Sequence, residues 1–216
     1  MKATDSVRLK TAKPFPRGRK PKAHRREQIL AAAFEEFAAN GYAATRLEDV
    51  AKRAGIAKGT IYLYFQDKER LFRAVVRSLI QKRLDAFAGT FHGPAPALFR
   101  EMLSRMYTRV VRNERARGIV RLLVAESGKF PQLSDIYHQE IIGPGLKAVR
   151  QVLKRGIASG EFRKSKALEF PQILVAPGVL AIVWTLISGG RHRLDLDAYM
   201  KAHLDFVLGS LQKKRI

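Results

Sequence analysis

Residues 45 to 65 read Thr45-Arg46-Leu47-Glu48-Asp49-Val50-Ala51-Lys52-Arg53-Ala54-Gly55-Ile56-Ala57-Lys58-Gly59-Thr60-Ile61-Tyr62-Leu63-Tyr64-Phe65. The second half of this segment is rich in groups that suit a polyanion. Lys58 offers a cation for phosphate, Thr60 a hydroxyl for a base edge, and Tyr62 and Tyr64 hydroxyls and ring faces. Gly59 lets another backbone come close. Groups of this kind read a duplex only when one rigid element presents them together.

The first half supplies that element. Thr45 and Glu48 stand at capping-box spacing, which predicts a short helix starting there. Ala51, Gly55 and Ile61 fall at i, i+4 and i+10. A small Ala51 lets a second helix cross closely, and Gly55 can take the left-handed conformation of a tight turn. Ile61 returns an apolar contact to Val50 and Ala54. Two short helices are predicted, over about 46 to 53 and 57 to 63, the second lying in a major groove. The competing reading is an ordinary helical hairpin with its tyrosines in the core.

Asn40-Gly41-Tyr42, Ala44-Thr45, Val50-Ala51, Ala54-Gly55, the run Lys58 to Phe65, and Asp67-Lys68-Glu69 with Leu71 together resemble the DNA-binding domain of the TetR (tetracycline repressor-like) family. The resemblance is ungapped over about residues 24 to 72. It implies operator contacts at Thr45, Arg46, Lys58, Gly59, Thr60, Tyr62, Tyr64 and Lys68. It also implies a second all-α domain that dimerises and holds an effector pocket.

The bulk composition agrees without deciding the matter. There are 41 Lys+Arg against 19 Asp+Glu, a formal net charge of +22, and such a field attracts nucleic acid first and anionic membrane second. The excess is not confined to one end: residues 1 to 70 hold 16 basic and 8 acidic residues. Zero cysteines exclude disulfides and thiolate metal sites. With no apolar segment near the start, this leads to an expected cytoplasmic location. The scattered histidines show no metal-ligand spacing, and neither a metal nor a cofactor is expected. No Gly-x-Ser-x-Gly, phosphate-cradling glycine loop or His-Glu-x-x-His occurs, so an enzyme is not expected.

Three domains are expected: a disordered basic arm (1–22), a helix-turn-helix domain (23–68) and a helical ligand-binding and dimerisation domain (69–216). The arm contains Arg17-Gly18-Arg19, which resembles the core of minor-groove AT-hook peptides; it reads either as a groove-reading peptide or as a solvated tail on phosphates. The fold class is all-α, with about nine helices. Beyond the head, helical patterns run over about 67 to 88, 97 to 115, 117 to 127, 132 to 159, 166 to 188 and 195 to 212. Gly143-Pro144-Gly145 is expected to break or kink the fourth of these. Past residue 90 no family motif is matched closely.

Residues 170 to 190 carry no charge. They suit either a membrane span or a helix buried in a dimer core, and resemblance to the family's penultimate helix favours the second. Helices 166–188 and 195–212 are therefore the expected homodimer interface. Met102, Met106, Tyr107, Arg121, Phe130, His138 and Trp184 are candidate effector contacts, with plain core packing as the alternative for each. The expected function is a sequence-specific regulator, most simply a dimeric repressor released from a palindromic operator by a small molecule. A weakly specific architectural DNA binder is the alternative.

Overall fold

The computed structural model describes residues 22–79 and 93–212. Arg17, Arg19 and the expected end of the 67–88 helix lie outside them. All the regular structure among the described residues is helical. No described helix is long and apolar enough to cross a membrane.

The head consists of α1 (Lys22–Ala44), α2 (Leu47–Arg53), α3 (Lys58–Tyr62) and α4 (Lys68–Ser78). Helix α1 carries the expected apolar stripe, with Ile29 and Ala33 fully buried and Phe37 nearly so. The backbone breaks at Gly41, in the left-handed region at φ 75°, so Tyr42 can turn into the core. There Phe37 and Tyr42 meet the ring of Phe72 edge-on, at 5.4 and 5.6 Å. Helix α4 starts at Asp67, whose side chain accepts from the Arg70 N–H at 2.7 Å. It buries Leu71, Phe72, Val75 and Val76 against α1. Each such side chain contributes roughly 1.5–3 kcal/mol by leaving water.

The remainder comprises α5 (Ala95–Met106), α6 (Glu114–Glu126), α7 (Pro131–Tyr137), α8 (Gly143–Ala158), α9 (Gln172–Ser188) and α10 (Leu196–Leu211). Asn113 and Asp195 cap α6 and α10 through bonds to backbone N–H groups. Packing is continuous across residue 68, because Ile119, Leu122, Leu123, Leu133 and Ile136 join the head's apolar cluster. A second cluster unites Phe99 and Leu103 of α5 with Val152 and Leu153 of α8 and Val207 and Leu211 of α10.

Two expectations about helix breaks need correcting. Of the break or kink expected at Gly143-Pro144-Gly145, the break does not occur, since Ile142 and Gly143 keep helical dihedrals. Instead His138–Ile142 forms a π turn, with the Gly143 N–H bonded to the His138 carbonyl. The wider turn lets the chain pass Pro144, which has no N–H for an ordinary helical bond. The pattern expected from 97 to 115 also divides, as a π turn at Tyr107–Val111 ends at Arg112 and Asn113 starts a new helix.

Candidate nucleic-acid interface

Helices α2 and α3 are joined by a turn in which Gly55 has φ 64° and the Ile56 N–H reaches the Ala51 carbonyl at 3.0 Å. Ile61 is fully buried in one cluster with Val50 and Ala51, against which Ala54 also packs, as the spacing predicts. Burying Ile61 fixes the rotation of α3 and sends Lys58, Gly59 and Tyr62 outward. All three are exposed, as is Arg46. Thr60 is half-buried, and Tyr64 is half-buried against the head's core.

The capping box does not form. Arg46, not Thr45, is the N-cap of α2, and it provides no side-chain cap. Thr45 is 2% exposed, and its hydroxyl donates to the carbonyls of Gly41 at 2.6 Å and Glu36 at 3.3 Å. Thr45 turns inward to bond these two carbonyls of α1, one of them at the break itself. Its side chain is thus not offered to DNA.

Lys68 is committed in a similar way. Its ammonium donates to the carbonyls of Tyr42 at 2.7 Å and Ala43 at 2.9 Å, and lies 4.6 Å from the centre of the Tyr42 ring. Partial burial pushes its pKa down.

Sequence reading missed the partner on the other side of this segment. The Glu126 carboxylate, at the end of α6, accepts from the N–H groups of Tyr42 at 2.8 Å and Ala43 at 3.0 Å. A Cβ at Gly41 would collide with that carboxylate. Glu140 makes a second joint, with Arg73 at 2.9 Å and Arg77 at 2.6 Å. The two arginines hold its pKa below the usual carboxylate range, against the opposing effect of burial. Neither joint had a local signal, because the partners lie 63 or more residues apart.

The candidate effector contacts do not converge on one place. Met102 and Met106 are half-buried against the cluster of α5, α8 and α10, and Met106 also packs against the cluster that holds the fully buried Tyr107. Met106 fills the space beside Gly178 of α9, where any Cβ would strike its terminal methyl. Phe130 instead packs edge-on against Tyr42, at 5.3 Å. Arg121 and His138 are exposed. Trp184 is 48% exposed on α9, its ring N–H donating to the His192 carbonyl at 2.9 Å.

The polar centre of this region is His203, a residue not singled out from the sequence. Its Nε2 lies 2.9 Å from the Leu174 carbonyl and its Nδ1 2.9 Å from the Tyr107 hydroxyl. A carbonyl only accepts, so Nε2 carries the proton and Nδ1 accepts from Tyr107. Burial holds this histidine below its usual pKa, the Leu174 bond opposing the effect.

Family comparison agrees with the geometry. The model of bacterial regulatory proteins of the tetR family matches residues 29–75. That of the tetracyclin repressor-like C-terminal domain matches residues 99–207, half of the chain. The chain belongs to the TetR family. The second match extends the family resemblance over the stretch beyond residue 90, where the sequence alone matches no family motif closely.

Among TetR-family relatives, the fatty acid metabolism regulator protein of Bacillus subtilis is 25% identical over 190 residues, covering 87% of this chain and 95% of its own length. A probable acrEF/envCD operon repressor of Escherichia coli is 27% identical over 192 residues, covering 85% of this chain and 84% of its own. The solved structure of the regulator FadR from Bacillus subtilis, in complex with stearoyl-CoA, superposes with a TM-score of 0.69. It is 22% identical and covers 85% of this chain and 98% of that one. This TetR-family protein is a DNA-binding transcriptional regulator with an N-terminal helix-turn-helix.

Proposed function

We propose that the protein is a homodimeric repressor that binds a near-palindromic operator and is released by a small-molecule effector. The observation that carries the reading is the outer face of α9. Ile173, Val179, Leu180, Trp184 and Ile187 are 48% to 78% exposed there, and Phe206 of α10 is 75% exposed. Leu174, Ala181 and Ile182 are buried on the opposite side. An apolar face of this kind is costly in water and fits a second copy of itself across a two-fold axis. The dimer pairs two recognition helices, and two-fold symmetry in the protein requires it in the operator.

Within each head, Arg46, Lys58, Gly59, Thr60 and Tyr62 make the contacts, with Tyr64 at the edge. Thr45 and Lys68 brace the segment from behind. The effector site lies around Met102, Met106 and Tyr107, where the flexible thioether of Met106 meets the small Gly178. Such a lining adapts to an apolar ligand by moving a side chain. Similarity over most of the chain to a fatty acid metabolism regulator, and in fold to a regulator carrying stearoyl-CoA, supports an effector with a long apolar portion.

The test combines light scattering with footprinting on DNA selected from a genomic pool. The reading expects a dimer protecting one discrete two-fold site, and weaker protection when a long-chain acyl thioester is added. Uniform coating of the DNA would favour an architectural binder and overturn the proposal.

A further inference from the structure

The recognition helix carries its principal cation already paired. The Lys58 ammonium lies 3.1 Å from Oε1 of Glu48, and the Tyr62 hydroxyl donates to the same oxygen at 2.9 Å. Lys58 and Tyr62 are one helical turn apart on α3, and Glu48 reaches them from the first turn of α2. The site is open, with the Lys58 side chain 70% and that of Glu48 38% exposed. Glu48's own backbone N–H, then Lys58 and Tyr62, bring its pKa down to about 2, so it is ionised throughout the working range. One carboxylate oxygen thus does for Lys58 and Tyr62 what a DNA phosphate oxygen would do.

We propose that Glu48 is a specificity-determining residue that withholds Lys58 and Tyr62 from the phosphates of arbitrary DNA. It releases them where a base edge gives its carboxylate a new donor, the exocyclic amine of cytosine. The inference rests on the operator-reading function proposed above. On random duplex, moving Lys58 to a phosphate strands an anion among anions, so the exchange gains little. At a cytosine in the major groove, the N4 amine donates to the freed carboxylate while Lys58 and Tyr62 go to the backbone. Adenine N6 is a poorer substitute, because the N7 acceptor beside it repels a carboxylate.

Glu48→Gln tests this, because it keeps the shape of the side chain and removes the charge. Binding is measured by anisotropy to the selected operator and to a random duplex across a salt series, and site selection is repeated with the variant. We expect at least threefold tighter binding to random duplex, a salt slope there steeper by about one, and an operator-to-random ratio at least tenfold smaller. The selected site should lose a cytosine preference in each half. In a Lys58→Met background the gain on random duplex should vanish, since no cation remains to be released. Random-duplex affinity that stays level or falls, or an unaltered selected site, would overturn the inference. If the wild-type chain selects no discrete site, the operator-reading function itself fails; a discrete site indifferent to Glu48→Gln sinks only the role of Glu48.

Discussion

The two halves of the molecule are both helical, yet they use their polar groups differently. In the head, Lys58, Tyr62 and Glu48 form an open network at the surface, held by a compact core under α3. In the C-terminal half, Tyr107, His203 and the Leu174 carbonyl form a closed, buried chain. The open network can exchange its partners for those of a ligand without disturbing the fold. The closed one cannot exchange a partner without opening the packing around it. That contrast fits the proposed function, in which one half meets DNA at a rigid surface and the other responds to an effector by rearranging.

The largest predicted effect separates assembly from reading. Leu180→Asp with Ile187→Asp places charges on the outer face of α9 and should give a monomer by light scattering. Operator affinity should fall at least 100-fold, because each half-site is then bound without its partner. A dimer that persists would move the interface elsewhere. Next comes the reading surface itself: Lys58→Ala with Tyr62→Ala should weaken operator binding at least tenfold with the dimer intact, each contact being worth roughly 1–3 kcal/mol. Wild-type affinity would show that α3 does not read the groove.

The joint between the halves gives a smaller, structural effect. Glu126→Gln removes the charge from two bonds to backbone N–H groups and should lower unfolding stability by about 1–2 kcal/mol in urea titration. The smallest effect concerns pH. His203 is held neutral in the fold, so below about pH 6.5 the unfolded chain takes up a proton that the folded chain refuses. Stability contributed by this residue is therefore complete above pH 6.5 and declines as pH falls towards the folded-state value. Urea midpoints at pH 7.5 and 5.5 should converge in His203→Gln; an undiminished gap would assign the pH dependence to other groups.

The same contrast explains what could be read from the sequence. The helix-turn-helix lies within about twenty consecutive residues, and its turn and crossing contacts depend on local spacing. Gly55 and Ile61 therefore take the roles that spacing predicts. Thr45 misled because its motif is also local: a capping box fits the spacing, but the carbonyls of Gly41 and Glu36 compete for the same hydroxyl and win. Lys68 was claimed from behind by the end of α1. In the C-terminal half the deciding contacts join residues 29 to 96 positions apart, as with His203 to Leu174 and to Tyr107. No periodicity along one helix reveals such a meeting. Helix positions were legible there, while the grouping of Met106 with Gly178 and the separation of Arg121, Phe130, His138 and Trp184 from it were not.

The central claim is that a dimer presents two α3 helices to one symmetric site. Hydroxyl-radical footprinting of the full chain on DNA selected from its genome tests it most directly. The account predicts one protected region with two-fold symmetry, its half-sites about one helical turn apart or somewhat more, and loss of both halves together in the Leu180→Asp, Ile187→Asp variant. Protection spread evenly along the fragment, or a single asymmetric site held equally well by that variant, would contradict it.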